Sequence, residues 1–262
     1  MKAPRGAPFS CPRGLHNPAM TLAILSALPD ELAALQARLD VDHVSTLAGR
    51  TLHRGRLAGH DVVLTLSGVG KVAAATTAAL LLDRFDARAL LFTGVAGGLG
   101  PGVAVGDVVV GRQFLQHDMD ASPLFPRWEV PLSGRSRFDA DGGWSDRLAR
   151  GAQAVLSRPH PALASFGIGR ARLHQGLIVS GDRFVSSAAE SSALQRDLPE
   201  ALAVEMEGAA LAQVAHDFGR PCAVLRTVSD RADDSAHVDF PRFLREVAAE
   251  YSRDIVLEAL SA

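Results

Sequence analysis

The sequence predicts a single α/β domain, and two observations carry that prediction. From Thr21 onward, short apolar runs alternate with longer segments of helical periodicity, as they do in a chain of alternating strands and helices. The 262 residues are 47% hydrophobic, which is enough to bury a substantial core. Since no internal repeat or low-complexity stretch follows residue 20, we expect one domain over residues 21–262.

The first twenty residues differ in composition from the rest of the chain. They are rich in Pro, Gly and Arg and contain no apolar run of the kind found in a secretory signal. We therefore expect residues 1–20 to form a disordered or non-native extension outside the domain.

The domain is predicted to open with a buried strand and an amphipathic helix. Thr21–Ala27 is continuously apolar or small, which is typical of a strand buried on both faces. Proline is tolerated in the first turn of a helix, and leucines follow Pro29 at three- and four-residue spacing, so we predict a helix over Pro29–Leu39. Thr51–Leu66 then alternates like two antiparallel strands around a turn at Ala58–Asp61.

The middle of the chain holds the clearest helix and the longest predicted loop. Lys71–Phe85 is rich in Ala and Leu and has no helix breaker. Ala89–Thr93 and Val103–Arg112 are predicted strands, the first of which ends in the glycine-rich run Gly94–Gly98. Met119–Gly143 contains Pro123, Pro126, Pro131 and several glycines, and a loop of this length suggests a functional role.

The second half continues the alternation of helices and strands. The predicted elements are a helix at Trp144–Leu156, strands at Gly176–Ser180 and Ala201–Val204, a helix at Gly208–Phe218, a strand at Pro221–Val228 and a closing helix at Phe240–Leu260. Ligand sites in such sheets lie at the carboxyl ends of the strands.

Composition excludes several classes of protein. The formal net charge is −2 with basic and acidic residues interspersed, so no basic field is present to attract nucleic acid. No apolar run reaches the roughly 20 residues that span a bilayer, which argues against a membrane partner. The two cysteines form no disulfide framework; Cys222 lies in an apolar run and is predicted to be a buried free thiol, as in a reducing, cytoplasmic location.

Four short segments at predicted strand ends carry polar or glycine-rich chemistry: Ala27–Glu31, Gly94–Gly98, Val204–Glu207 and Arg226–Asp230. Each also has a purely structural interpretation. Acids favour the first turn of a helix, glycines form tight turns, carboxylates at strand ends are usually solvated, and an Asp after a strand can cap the next helix.

Two further motifs resemble ligand sites only weakly. Gly94–Gly98 lacks the spacing of a nucleotide-binding loop, and Gly68–Lys71 fails as such a loop because Val72 stands where Ser or Thr would meet magnesium. His117–Asp120 offers two carboxylates and one imidazole on a predicted loop, which is weak evidence for a metal ion. We expect no metal and no cofactor.

In combination, these segments resemble the bacterial 5′-methylthioadenosine/S-adenosylhomocysteine nucleosidases of the purine nucleoside phosphorylase family. The resemblance runs in order from Thr21 to Leu260. It is strongest at Ser67–Val72, Gly94–Leu99, Val105–Val109, Gly176–Asp182, Val204–Glu207 and Arg226–Asp230. It implies a three-layer α/β/α domain with a central mixed, twisted and partly barrel-like sheet.

The resemblance implies hydrolysis of the N-glycosidic bond of 5′-methylthioadenosine and S-adenosylhomocysteine, with 5′-deoxyadenosine as a further candidate. Adenine and a 5′-thioribose would be released, as in methionine salvage and recycling of S-adenosylmethionine by-products. Asp230 would be the general acid that protonates adenine N7, and Glu31 the general base that positions the attacking water.

The same resemblance implies a set of binding residues. Glu207 would accept hydrogen bonds from the ribose hydroxyls, Phe184 would stack on adenine, and the Val185 backbone would bind the base edge. The full set of implied substrate-binding positions is Leu28, Val69, Ala96, Gly97, Phe184, Val185, Glu205, Met206, Glu207, Arg226, Ser229 and Phe240.

Among these, Leu28, Val69 and Phe240 would line an apolar pocket for the 5′ substituent, and Arg226 and Ser229 would support the site. A homodimer is implied, in which the Ala121–Pro131 loop of each subunit completes the neighbouring site.

The sequence departs from the family's pattern in several places. Val95 stands where many relatives have a small hydroxyl residue near the catalytic acid, and Arg183 stands where they have a small residue. Leu28 replaces a common methionine. Pro29 and Asp30 replace two glutamates, which leaves Glu31 as the glutamate for the base role.

Three other functions are compatible with parts of the sequence. A phosphorylase needs groups that bind an anion, whereas Ala27–Glu31 presents carboxylates that would repel phosphate. An aminofutalosine nucleosidase would share the same residues, since the difference lies in the 5′ pocket. A nucleoside-binding module without catalysis would be expected to have lost Glu31 or Asp230, and both are present.

Overall fold

A computed structural model describes residues 21–232 and 240–261. The strands are β1 (Leu22–Ser26), β2 (Asp40–Leu47), β3 (Arg50–Leu57), β4 (His60–Leu66), β5 (Ala89–Gly98), β6 (Val108–Gln116), β7 (Arg137–Asp139), β8 (Leu173–Ser180), β9 (Ala201–Glu205) and β10 (Cys222–Asp230). The helices are α1 (Pro29–Gln36), α2 (Lys71–Phe85), α3 (Gly142–Leu156), α4 (Ala188–Asp197), α5 (Gly208–Asp217), α6 (Phe240–Phe243) and α7 (Ala249–Ser261). A 3₁₀ helix spans Pro161–Phe166, and a π-helical turn at Leu244–Ala248 joins α6 to α7.

The strands form one mixed sheet that closes on itself at one end. The order β10-β6-β8-β9-β5 becomes a five-stranded ring because β5 also pairs with β10. The pairing between β9 and β5 in this ring is short and consists of Gly97↔Val204 and Gly98↔Ala203. Beyond β5, the order β1-β4-β3-β2 extends the sheet as an open wing. The predicted mixed, partly barrel-like sheet is confirmed.

Helices cover both faces of this sheet. On one face α1, α3 and α7 pack together and contribute to one hydrophobic core, and on the other α2 and α5 contribute to a second. Strand β1 shows why two cores form, because Leu22 and Ile24 join the first while Ala23 and Leu25 join the second. Side chains alternate across a strand, so a continuously apolar strand serves both layers.

Several predicted elements agree closely with the structure. Helix α2 has the predicted bounds, and the strands at β1, β8, β9 and β10 lie where apolar runs predicted them. The predicted hairpin is the antiparallel pair β3 and β4, which turns at Ala58–Gly59. Helix α3 begins two residues earlier than predicted because the Asp141 carboxylate caps it, accepting a hydrogen bond from the Trp144 N–H at 2.8 Å.

Other boundaries were wrong for local reasons. Helix α1 ends at Gln36, before Leu39, although Leu39 is buried in the same core. Strand β6 begins at Val108 because the preceding residues turn around the Asp107 carboxylate, which accepts hydrogen bonds from the N–H groups of Ala104 and Arg172. The glycines after Thr93 do not end β5, which continues to Gly98.

Strand β2, strand β7 and helix α4 were missed. Strand β2 is an exposed edge strand without apolar alternation, and β7 spans three residues inside the predicted Met119–Gly143 loop. Cys222 is a buried free thiol, as predicted. No helix in the described part of the chain is long and apolar enough to cross a membrane. The predictions for residues 1–20, and with them Cys11, lie outside the described residues.

Candidate active site

A cavity of about 220 Å³ opens where β1, β5, β9 and β10 end at their carboxyl termini. Because β1, β5 and β10 run parallel, the residues that follow them meet at the same edge of the sheet. All of the predicted catalytic and binding residues line this one cavity: Leu28, Glu31, Val69, Ala96, Gly97, Phe184, Val185, Glu205, Met206, Glu207, Arg226, Ser229, Asp230 and Phe240.

Glu31 is a buried carboxylate at the start of α1, only 1% exposed. Its Oε2 accepts hydrogen bonds from the N–H groups of Ala27 (3.1 Å) and Leu28 (3.0 Å), and its Oε1 accepts one from Val95 N–H (3.0 Å). Burial raises the pKa of Glu31, although the Leu28 N–H and the Arg226 charge oppose that rise. The Glu31 carboxylate is therefore held in the cavity wall by backbone hydrogen bonds. It is not exposed to solvent, as an ordinary first-turn acid would be.

Asp230 ends β10 and is also buried. Its Oδ2 accepts a hydrogen bond from the Ser229 hydroxyl at 2.7 Å, and its Oδ1 accepts one from the Ala232 N–H at 2.8 Å. The neighbouring Ser229 thus provides a hydroxyl for this carboxylate, although Val95 supplies none. Two groups that are close to Asp230 in sequence therefore help to orient its carboxylate.

Arg226 and Glu205 form a buried ion pair beneath the cavity. Arg226 donates from Nε and Nη2 to Glu205 Oε2, and its guanidinium lies 4.2 Å from the centroid of the Phe92 ring. Glu205 also accepts hydrogen bonds from the Ser180 hydroxyl and the Gly208 N–H. Both oxygens of Glu205 are thus occupied by protein donors, which points to a supporting role and not to direct binding of a ligand.

Among the described residues, Glu207 has fewer hydrogen-bond donors than Glu31 or Glu205. Its Oε1 accepts a hydrogen bond from the Gly70 N–H at 2.9 Å, and its Oε2 lies 3.5 Å from Arg226 Nη2. Burial, with the nearby Glu205 carboxylate, raises the pKa of Glu207 to about 7. Because one backbone N–H and a 3.5 Å contact to Arg226 are its donors among the described residues, Glu207 keeps acceptor positions for hydroxyl groups of a ligand.

The glycines of β5 allow these side chains to approach the strand. A Cβ atom on Gly94 would lie 2.5 Å from Arg226 Nη1 and 3.0 Å from Glu31 Oε1. A Cβ atom on Gly97 would lie 2.9 Å from the Ala232 Cβ and 3.0 Å from Asp230 Oδ1. Only glycine leaves room at these two positions for the charged groups of the site.

Most of the other described residues in the cavity wall are apolar. Val69 and Phe184 are exposed to 54% and 44%, whereas Val185 is buried. Leu28, Met206 and Phe240 are partly buried and complete this part of the lining. An apolar wall next to a cluster of carboxylates suits a ligand with an aromatic or thioether part and a hydroxylated part.

Sequence reasoning missed some contributors. Ala27, Val95, Arg183 and Val204 also line the cavity, and Arg183 is paired with Glu190. The Ser180 hydroxyl and the Gly70 N–H, which contact Glu205 and Glu207, were not among the predicted site residues, although both lie in stretches where the family resemblance is strong. Ser180 ends a predicted strand at the same edge of the sheet, which is the signal that could have identified it.

The His117–Asp120 motif has other partners. Asp118 pairs with Lys71 at 2.6 Å, and Asp120 accepts a hydrogen bond from the Ser122 N–H at 3.0 Å. Within residues 21–232 and 240–261, no group of three or more His, Cys, Asp or Glu side chains is arranged to hold a metal ion.

The chain is similar to a known protein family and to several solved structures. The sequence model of one protein family, the phosphorylase superfamily, matches residues 21–261. Among solved structures, a 5′-methylthioadenosine/S-adenosylhomocysteine nucleosidase from Neisseria meningitidis, in complex with methylthio-immucillin-A, is 37% identical with a TM-score of 0.83; the match covers 92% of this chain and 99% of that one.

Two further structures are similar over comparable lengths. The nucleosidase from S. pneumoniae with a transition-state inhibitor is 36% identical, with a TM-score of 0.80 and coverage of 93% of this chain and 99% of that one. The nucleosidase from Colwellia psychrerythraea 34H in complex with adenine is 32% identical, with a TM-score of 0.82 and coverage of 92% and 95%.

Proposed function

The chain belongs to the phosphorylase superfamily and, within it, to the 5′-methylthioadenosine/S-adenosylhomocysteine nucleosidases, and on this basis we propose that it hydrolyses the N-glycosidic bond of these two nucleosides. The products are adenine and the corresponding 5′-thioribose. The observation that carries this proposal is a pair of buried carboxylates, Glu31 and Asp230, in the wall of one cavity with an apolar side.

The two carboxylates divide the chemistry of the reaction. Adenine leaves well only when a ring nitrogen is protonated, and C1′ of the sugar then develops positive charge. We assign the proton donor to Asp230, which Ser229 and the Ala232 N–H orient. The carboxylates of Glu31 and Glu207 would stabilise the developing charge.

Glu31 is proposed to activate the water that attacks C1′. A carboxylate offers about four acceptor positions, and three backbone N–H groups occupy positions on Glu31. We assign the fourth position, which no donor from the described residues occupies, to the water molecule. The raised pKa makes this carboxylate a stronger base than an exposed glutamate.

Water is a better candidate than phosphate for the nucleophile. The two guanidinium groups found among the described lining residues are both paired, Arg226 with Glu205 and Arg183 with Glu190. The remaining charges in the wall are carboxylates, which would repel phosphate. These charges support hydrolysis over phosphorolysis.

The proposed substrate contacts follow the same division of the cavity. Glu207 accepts hydrogen bonds from the ribose hydroxyls, with Met206 under the sugar. Phe184 stacks on adenine, and the backbone at Val185, Ala96 and Gly97 approaches the base. The partly buried Leu28 and Phe240, with Val69, surround the 5′ substituent.

We also propose that the protein acts as a homodimer in the cytoplasm, without a cofactor. No residue of the Ala121–Pro131 loop is among the described residues that line the cavity of its own chain, and Leu124 on that loop is 84% exposed. This arrangement supports a loop that covers the cavity of a second subunit.

The test is adenine release from methylthioadenosine and S-adenosylhomocysteine, with and without phosphate, together with identification of the sugar product. Free thioribose formed at equal rates in both conditions is the expected result. A requirement for phosphate with a sugar 1-phosphate product would mean a phosphorylase, and binding without turnover would mean a nucleoside-binding protein.

A further inference from the structure

Three charged residues outside the cavity connect its two apolar walls. They are Lys71, Asp118 and Asp182, and we refer to them as the lysine–aspartate clamp. Lys71 is the first residue of α2, Asp118 lies two residues after β6, and Asp182 lies two residues after β8. The clamp therefore joins three elements that are distant in sequence.

The contacts within the clamp are short and reciprocal. The Lys71 ammonium donates to Asp118 Oδ1 at 2.6 Å and lies 3.9 Å from Asp182 Oδ2. The Asp182 N–H donates to Asp118 Oδ2 at 2.9 Å, and the Lys71 N–H donates to Asp182 Oδ1 at 2.7 Å. Each of the three residues thus contacts both of the others.

Within the clamp the Lys71–Asp118 pair is partly shielded from water, whereas the Asp182 side chain is 50% exposed. The side chains of Lys71 and Asp118 are 15% and 32% exposed. Burial alone would raise the pKa of Asp118, but hydrogen bonds from the Lys71 ammonium and the Asp182 N–H hold it below its usual range. The partly desolvated, charge-assisted Lys71–Asp118 contact fixes geometry better than a fully exposed pair does, and two backbone N–H donors tie Asp182 to it.

Both exposed apolar walls of the cavity adjoin this clamp. Val69 lies two residues before Lys71, and Phe184 lies two residues after Asp182. Between Val69 and Lys71, the Gly70 N–H donates to Glu207 at 2.9 Å. Gly70 has φ of 95°, and a Cβ atom there would lie 3.1 Å from Asp182 Oδ1, so this turn is packed closely against the clamp.

We propose that the lysine–aspartate clamp positions the Val69 and Phe184 walls relative to each other and to Glu207, and so sets the width of the nucleoside cavity. The inference deepens the proposed function, because it assigns positioning residues to that same site. Lys71, Asp118 and Asp182 do not line the cavity in the described structure and are not catalytic residues.

The first test needs no ligand. We compare backbone hydrogen exchange in the wild type with that in Asp118→Ala, which loses both clamp contacts, and in Asp118→Asn, which keeps an oxygen for the Asp182 N–H. A matched control is Glu258→Ala, which removes an ion pair of 2.9 Å with Arg158 on another part of the protein.

We expect exchange to accelerate by about tenfold or more in both segments that flank the clamp, residues 67–72 and 182–186, in Asp118→Ala. The acceleration should be smaller in Asp118→Asn and absent from these segments in Glu258→Ala. Acceleration around residue 118 alone, or a uniform increase over the whole chain, would overturn the proposal.

The second test measures adenine release by the same four proteins. In Asp118→Ala we expect KM for methylthioadenosine to rise by about tenfold while kcat changes less than about threefold, because binding walls move and the chemical groups stay. A fall in kcat at unchanged KM would contradict a positioning role. If the wild type releases no adenine, the proposed function fails, while the exchange experiment still decides whether the clamp couples the two walls.

Discussion

Neighbouring groups give similar carboxylates different properties at the scale of single residues. Glu205 is saturated by an arginine, a serine and backbone N–H groups, so it supports Arg226. Glu31 is held by three N–H groups, and Glu207 by one, with Arg226 Nη2 at 3.5 Å. The number of protein donors on each carboxylate indicates how much of its acceptor capacity is left for a ligand or water.

Asp230 provides the most direct test of a proposed role. Asp230→Asn keeps the shape of the side chain and an acceptor for the Ala232 N–H but removes the proton donor. We expect kcat to fall by about a hundredfold to ten-thousandfold with KM little changed. The measurement is steady-state adenine release, with binding of methylthioadenosine checked by calorimetry.

Ser229→Ala is the matched variant, since it removes the hydroxyl that donates to Asp230 and leaves the carboxyl group in place. Its loss of kcat should be clearly smaller. Near-normal turnover in Asp230→Asn would exclude this residue as the acid.

Glu207 makes stability depend on pH. Its pKa is raised from 4.5 to about 7 in the folded protein, so between these values the folded state holds a proton that the unfolded state has released. The free energy of unfolding therefore falls as pH rises from about 4.5 to about 7 and is constant with respect to this group above that range.

We expect this fall to be smaller by on the order of 3 kcal/mol in Glu207→Gln, at 1.36 kcal/mol for each pKa unit. Urea denaturation of both proteins at several pH values measures the difference. Parallel curves for the two proteins would show that Glu207 does not titrate in this range.

Strand β5 illustrates what limits prediction at the scale of elements. A run such as Gly94–Gly98 is typical of a turn, yet here it continues a strand because charged side chains from other elements occupy the space next to it. The residues that contact these glycines are distant in sequence. A local sequence pattern therefore cannot distinguish a turn from a strand in which neighbouring groups leave no room for side chains.

Gly94→Ala tests this explanation. The added Cβ would meet the buried Arg226 and Glu31, so we expect the free energy of unfolding to fall by about 3 kcal/mol or more and adenine release to be lost. Gly142→Ala is the control: this residue opens α3, and a Cβ there meets nothing within 4 Å. The control should be neutral or slightly more stable in chemical denaturation, and equal stability of the two variants would contradict the packing argument.

Elements differed in how far they could be predicted. Helix α2 was predicted to the residue, because Ala and Leu dominate it and glycine precedes it. Strand β2 could not be predicted, since its side chains are mostly exposed and it owes its form to pairing with β3. Helix α4 was missed although Ser187 caps it, because its sequence has weak apolar periodicity.

At the scale of the whole molecule, the place of the cavity follows from where the strands end. Glu31 follows β1 and Asp230 ends β10, and both strands run parallel to β5, so these ends meet at one edge of the sheet. Glu207 follows β9, which pairs antiparallel with the end of β5. Closure of the five-stranded ring depends on two residue pairs between β5 and β9, which no local pattern reports. The alternation of strands and helices already indicated an α/β domain, whereas the partly barrel-like sheet was predictable only through the family resemblance. The roles proposed for the individual carboxylates rest on the same resemblance and await the variants described above.

Assembly is tested on the exposed loop. If the Ala121–Pro131 loop covers a neighbouring cavity, Leu124→Asp should weaken self-association in sedimentation velocity and raise KM by about tenfold, because an apolar contact is replaced by a charge. Phe218→Asp, at the end of α5 and 46% exposed, is the control and should leave both unchanged. A monomeric wild type, or unchanged KM in a monomeric Leu124→Asp variant, would contradict the shared site.

Arg226 has a consequence for how the protein loses activity on heating. This one guanidinium bonds to residues at the end of β9, lies over a ring of β5 and fills the space left by Gly94. The part of the site that holds Glu205 and Glu207 therefore shares its supports with the core of the sheet and cannot melt separately from it. Catalysis should serve as a reporter of global folding, so that thermal inactivation and the loss of far-ultraviolet circular dichroism follow a single curve.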